Sequence, residues 1–158
     1  MRPIVRELAA LFALLLLAGV ARASNYALEE IPQAIPAADA AKLKSAGIGT
    51  TFRLLERATT PKDRKSLAKE TKIAEKTLEA WAQMCDLLRV RGIGPDVARL
   101  LAAAGVRTVA QLKVANATAL SDEISKVNSK QKLSENPPSV EHLQGWIQQS
   151  QPLPIVLH

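Results

Sequence analysis

Subtracting residue numbers gives the strongest constraint on this chain. Ile35 and Ile93, Leu43 and Leu101, Gly47 and Gly105, Thr50 and Thr108, and Leu54 and Leu112 all stand 58 residues apart. The matches include two Gly-x-x-Thr turns. In each, a glycine suited to the left-handed position past a helix end precedes a hydroxyl that can cap the next helix. Trp81 and Trp146 stand 65 apart, as an insertion of about seven residues in the second copy would produce. The pattern predicts two copies of one short helical unit. Chance matching of two Leu/Ala-rich halves is the competing account.

Local signals agree on helix throughout. Alternating β-branched runs are absent, while Ala, Leu, Lys and Glu dominate. Ala37 to Ala46 reads as a helix stopped by Gly47, and Thr50 as the cap of a helix carrying Phe52, Leu54 and Leu55. Thr60-Pro61 opens another, with proline at the first-turn position where its missing N–H costs nothing. Ala74 to Val90 reads as the longest amphipathic stretch, with Leu78, Trp81, Cys85 and Leu88 on one face. Gly92-Ile93-Gly94-Pro95 breaks the chain before a helix that runs to Ala104. Thr108, Thr118 and Ser139 are read as later starts, and Ser129 to Pro138 as a polar loop. The expected fold is all-α, two repeat units packed into one compact helical domain. Its core should hold Leu43, Leu54, Leu78, Trp81, Cys85, Leu88, Leu101, Leu112 and Trp146.

The run Val90-Arg91-Gly92-Ile93-Gly94-Pro95, followed by Ala98, Leu101, Gly105-Val106-Arg107-Thr108 and Leu112, resembles the helix-hairpin-helix motif. Most of Tyr26 to Gln149 also resembles a bacterial family in which two such motifs alternate with helices ending in tryptophan. The second copy matches well. The first is degenerate, because its aligned triplet is Ala34-Ile35-Pro36. The motif implies sequence-independent DNA binding, whereas the bacterial family has no agreed activity. On this reading residues 24–90 form the first unit, 91–150 the second and 151–158 a tail.

The N-terminus reads as an address label. Arg2 and Arg6 precede an apolar run from Leu8 to Val20, closed by Ala21-Arg22-Ala23, the small-x-small pattern of a signal-peptidase site. That run is shorter than the roughly 20 residues of a membrane-crossing helix. Residues 1–23 are therefore expected to be a cleaved signal peptide, with a retained anchor as the competing reading. Cleavage near Ala23 gives an exported protein, periplasmic or extracellular, and lowers the net charge from +6 to +4.

The Gly92-Ile93-Gly94 turn is the candidate binding site. Glycines let a backbone approach a ligand closely, and free N–H groups at the next helix start favour an anion. Arg91, Arg99 and Arg107 flank the turn and are suited to phosphate oxygens, contacts that position a nucleic acid without specifying bases. In the alternative reading the turn only joins two helices and the arginines are a solvated face. Ten cations against four carboxylates between Lys42 and Lys76, Arg64 among them, permit the same two readings. The aromatics beyond the leader are Tyr26, Phe52, Trp81 and Trp146. The last three are read as lying on apolar stripes, which leaves no platform for stacked bases.

Catalytic material is sparse. One cysteine and two histidines exclude an internal disulfide and four-thiolate metal sites, and no nucleophile elbow or dinucleotide fingerprint is present. No enzyme activity, metal or cofactor is expected. Two functions stay open: a scaffold for an unknown protein partner, favoured by the export signal, and double-stranded DNA binding, favoured by the glycine turn.

Overall fold

A computed structural model describes residues 24–158; the segment read as a signal peptide, 1–23, lies outside the described residues. Among the described residues the chain is a compact all-α domain of eight helices with no strand. After a short 3-10 turn at Leu28–Glu30 come α1 (Ala37–Ser45), α2 (Thr51–Arg57), α3 (Pro61–Thr71), α4 (Glu75–Leu87), α5 (Pro95–Ala103), α6 (Val109–Lys113), α7 (Ala117–Gln131) and α8 (Val140–Ser150).

Side-chain caps set most helix starts. Thr50 accepts from the Arg53 N–H at 3.3 Å, Thr108 from Gln111 at 3.2 Å and Ser139 from His142 at 3.3 Å. Thr60 and Asp63 cap reciprocally: the Asp63 N–H donates to Thr60 Oγ1 and the Thr60 N–H to the Asp63 carboxylate. This bonding holds the Asp63 carboxyl below its ordinary range, the Thr60 hydroxyl contributing most. α7 departs from the sequence expectation. Its cap is Asn116, which accepts from Ala119 at 3.0 Å, two residues before Thr118. At 15 residues α7 is also longer than α4, which has 13 because the chain turns at Leu88 rather than continuing to Val90.

Each helix then buries one face in a shared core. α4 is central, packing on α2, α3 and α5, while α8 packs on α6 and α7. All nine side chains expected inside are buried: Leu43, Leu54, Leu78, Leu101 and Leu112 fully, Leu88 and Cys85 nearly so, and Trp81 and Trp146 at 8% exposure each. Phe52 corrects the sequence reading. It is 55% exposed, because α2 turns Leu54 and Leu55 inward instead. Ahead of the helices, residues 24–28 cross the body as a strap. Ser24 N–H donates to Leu88 O, Thr51 N–H to Tyr26 O and Leu28 N–H to Gly49 O, each at 3.0 Å. No helix among the described residues is long and apolar enough to cross a membrane.

Candidate functional site

The Gly92-Ile93-Gly94 turn joins α4 to α5, with Gly92 exposed, Gly94 half-buried and Ile93 turned into the core. Val90 N–H bonds Leu87 O at 3.0 Å and Ile93 N–H bonds Val90 O at 3.1 Å, folding the chain tightly. Ile93 is fully buried. Gly92 has φ +93°, a region that disfavours side chains, and a Cβ there would stand 3.0 Å from Trp146 Nε1. Gly94 is different: its φ of −95° and ψ of 177° are open to any residue. A Cβ on Gly94 would lie 3.6 Å from the Tyr26 hydroxyl, an ordinary contact. The Gly92 glycine thus answers to the indole and the local backbone, while Gly94 lies near the Tyr26 hydroxyl.

The helix that follows already carries an anion. Asp96 stands in the first turn of α5, where a carboxylate stabilises the N-terminal dipole. Arg99, four residues beyond Pro95, lies 3.8 Å from that carboxylate. Arg91 is exposed at the turn itself. Arg107 is exposed after α5, and its main-chain N–H donates to Gln111 Oε1 at 2.7 Å. Of the six candidate residues, Arg91 to Gly94 are consecutive at the turn, and Arg99 and Arg107 border two adjoining grooves. Arg107 borders a groove of about 500 Å³ with Lys76, Glu79 and Gln83, and Arg99 borders one of about 340 Å³ with Trp81, Met84 and Leu133. The two grooves share Ala80, Ala102 and Ala103, and Arg91 lines neither.

The aligned turn in the first half, Ala34-Ile35-Pro36, has its own use for a polar group. The Ala34 carbonyl accepts from Trp81 Nε1 at 3.0 Å, which satisfies the buried indole. Ile35 is fully buried, as Ile93 is.

Two charged residues prove more structural than their sequence context suggested. Arg64, read as part of a cationic surface, is only 7% exposed. It donates to Ala58 O at 2.8 Å, Thr59 O at 3.1 Å and His158 O at 3.1 Å, so it ties the tail to the α2–α3 connection. Asp86, which the sequence did not single out, is 2% exposed. It pairs with Arg89 at 2.7 Å and accepts from the Val109 N–H at 2.7 Å, joining α4 to the start of α6. Arg89 continues the chain of contacts to Pro154 O at 2.9 Å. The Asp86–Arg89 spacing of three residues was a readable helix pair. Its burial was not, because neither Val109 nor Pro154 is near in sequence.

Cys85 is enclosed, and burial, reinforced by the neighbouring Asp86 charge, pushes its thiol pKa far upward. That disfavours the thiolate a nucleophile or metal ligand needs. His142 stacks on Trp146 with ring centroids 6.1 Å apart, and its Nδ1 lies 3.2 Å from Ser139 Oγ. Among the described residues no group of three or more His, Cys, Asp or Glu side chains could hold a metal ion.

No curated protein matches this sequence, and no solved structure does. A family model does match, over residues 33–153, from the turn before α1 to the tail beyond α8. The chain belongs to the family described as Domain of unknown function (DUF4332).

Proposed function

We propose that this chain is an exported, non-catalytic scaffold that acts through protein–protein contacts on a tandem helix-hairpin-helix fold. Corresponding elements support the tandem reading. α1 and α5 each have nine residues, and the starts of α1 and α5 lie 58 apart, as do the starts of α2 and α6. Their caps share a backbone: Thr50 has φ −136° and ψ 160°, Thr108 φ −134° and ψ 160°. Ile48 N–H bonds Leu43 O and Val106 N–H bonds Leu101 O, both at 2.9 Å. Two aligned turns then meet two aligned tryptophans, Ala34 with Trp81 and Gly92 with Trp146. Export rests on the N-terminal sequence, with its basic front, apolar run and Ala21-Arg22-Ala23 end.

The observation that favours the scaffold over the nucleic-acid reading is what stands around the Gly92–Gly94 turn. Gly92 is set against an indole, the Tyr26 hydroxyl lies beside Gly94, and the Asp96 carboxylate stands at the helix start. A phosphate arriving there would meet the Asp96 carboxylate at the helix start and the Tyr26 hydroxyl beside Gly94. The exposed Arg91 favours duplex binding as the second reading.

Titrating residues 24–158 with duplex DNA at several salt concentrations separates the two. The scaffold reading expects absent or salt-insensitive binding. Affinity that falls log-linearly with salt, with a slope reduced by Arg91→Ala, would establish the phosphate reading instead. A pull-down from the exported fraction with duplex as competitor then identifies the protein partner.

A further inference from the structure

We propose that the trough between α4 and α5 is a docking groove for an acidic, amphipathic helical segment of a partner protein. This rests on the scaffold reading and names the face that would serve it.

The trough arises from the sequence of its two walls. On α4, Lys76, Glu79, Ala80 and Gln83 follow one another at helical spacing, on the side away from the buried Leu78 and Cys85. On α5, Arg99, Ala102 and Ala103 face them across the gap. Alanine at Ala80, Ala102 and Ala103 leaves volume where longer side chains would close the helices together. Toward Arg107 that volume is about 500 Å³, and toward Trp81, Met84 and Leu133 a further 340 Å³. The second section has an apolar floor, which gains from covering by apolar atoms.

Charge selects the occupant. Lys76, Arg99 and Arg107 border the trough, and Glu79 is the one carboxylate among its lining residues. Among the described residues Lys76 and Arg107 form no ion pair, and the Arg99 contact with Asp96 is a long 3.8 Å between exposed groups. These cations are free to meet carboxylates on an incoming chain, while a basic segment would place like charges together. A nucleic acid fits the cations but not the floor, since Trp81 is too buried to stack on a base. Apolar residues at i, i+3 and i+4 flanked by glutamates satisfy both floor and rim.

The probe is an end-capped peptide of about 14 residues, long enough to run past the α5 wall, with leucines at i, i+3, i+4 and i+7 and glutamates elsewhere. Its counterpart carries lysine at every glutamate. Each is titrated into 15N-labelled residues 24–158, with a short DNA duplex as a third arm. The glutamate peptide should shift the amides of Ala80, Ala102, Ala103 and Arg107 and bind at least about tenfold tighter than the lysine peptide. In the double variant Lys76→Glu with Arg107→Glu that preference should reverse. If the double variant fails to fold, the two peptides on the unaltered chain still decide. Equal affinity, shifts mapping to another face, or no peptide binding would overturn the groove, leaving the scaffold reading intact. Duplex shifting the same amides with log-linear salt dependence would overturn both.

Discussion

Two glycines that bracket Ile93 should respond very unequally to alanine. At Gly92 the new Cβ meets two separate costs. A φ of +93° is unfavourable for an L-residue by roughly 1–2 kcal/mol. The Cβ also stands 3.0 Å from Trp146 Nε1, and moving a packed indole by a few tenths of an ångström costs roughly 1–3 kcal/mol. Gly92→Ala should therefore destabilise by about 2–5 kcal/mol. Gly105 has nearly the same φ, +94°, but open space around it, so Gly105→Ala isolates the backbone cost at about 1–2 kcal/mol. Gly94→Ala meets neither cost. It loses a few tenths of a kcal/mol as a poorer N-cap and regains a similar amount by restricting the unfolded chain, a net within about 0.5 kcal/mol of zero. Urea denaturation of residues 24–158 at constant m-value measures all three. A Gly94→Ala loss equal to that of Gly92→Ala would refute the assignment of roles within the turn. Equal losses at Gly92 and Gly105 would refute the packing against Trp146.

Trp81→Ala and Trp146→Ala should each cost roughly 3–5 kcal/mol in the same assay, as buried indoles do, and a small loss at either position would remove it from the core. Deleting residues 24–28 removes the strap together with the fully buried Leu28, and should cost at least about 2 kcal/mol by thermal or urea unfolding. The Asp63 carboxyl is depressed below its ordinary value of 3.8, so its contribution is present above that pH and is lost as pH falls through the lower folded value. Asp63→Asn should flatten the acid limb of a stability–pH curve below that point and leave the shape above it unchanged. Cys85 should resist a disulfide thiol reagent at pH 8 in the native protein and react fully in denaturant, whereas rapid native labelling would contradict its burial.

Local chemistry explains which features were readable in advance. Thr50, Thr60, Thr108 and Ser139 cap the helices that follow them because a hydroxyl reaches an amide three residues on, whatever lies elsewhere. Pro61 and Pro95 start helices for an equally local reason. Where two local candidates competed, proximity alone did not choose: Asn116 caps α7 and Thr118 lies inside it. The apolar period placed Leu54 and Trp81 correctly but misjudged Phe52, because a helix of seven residues turns only part of its apolar set toward the core.

The sequence by itself determined the helical class and most of the helix starts, since caps, prolines and periodicity act over a few residues. Only the tertiary structure decided what the charges and glycines do. Arg64 and Asp86 have the same chemistry as their exposed neighbours, and they are buried because chain from 94 and 23 residues away brings them carbonyl and amide partners. Gly94 has the Tyr26 hydroxyl of the strap beside it, and Gly92 is needed as glycine because its φ is positive and an indole 54 residues later packs against it. Burial and close approach depend on residues distant in sequence meeting in space, and no short window of sequence contains both partners.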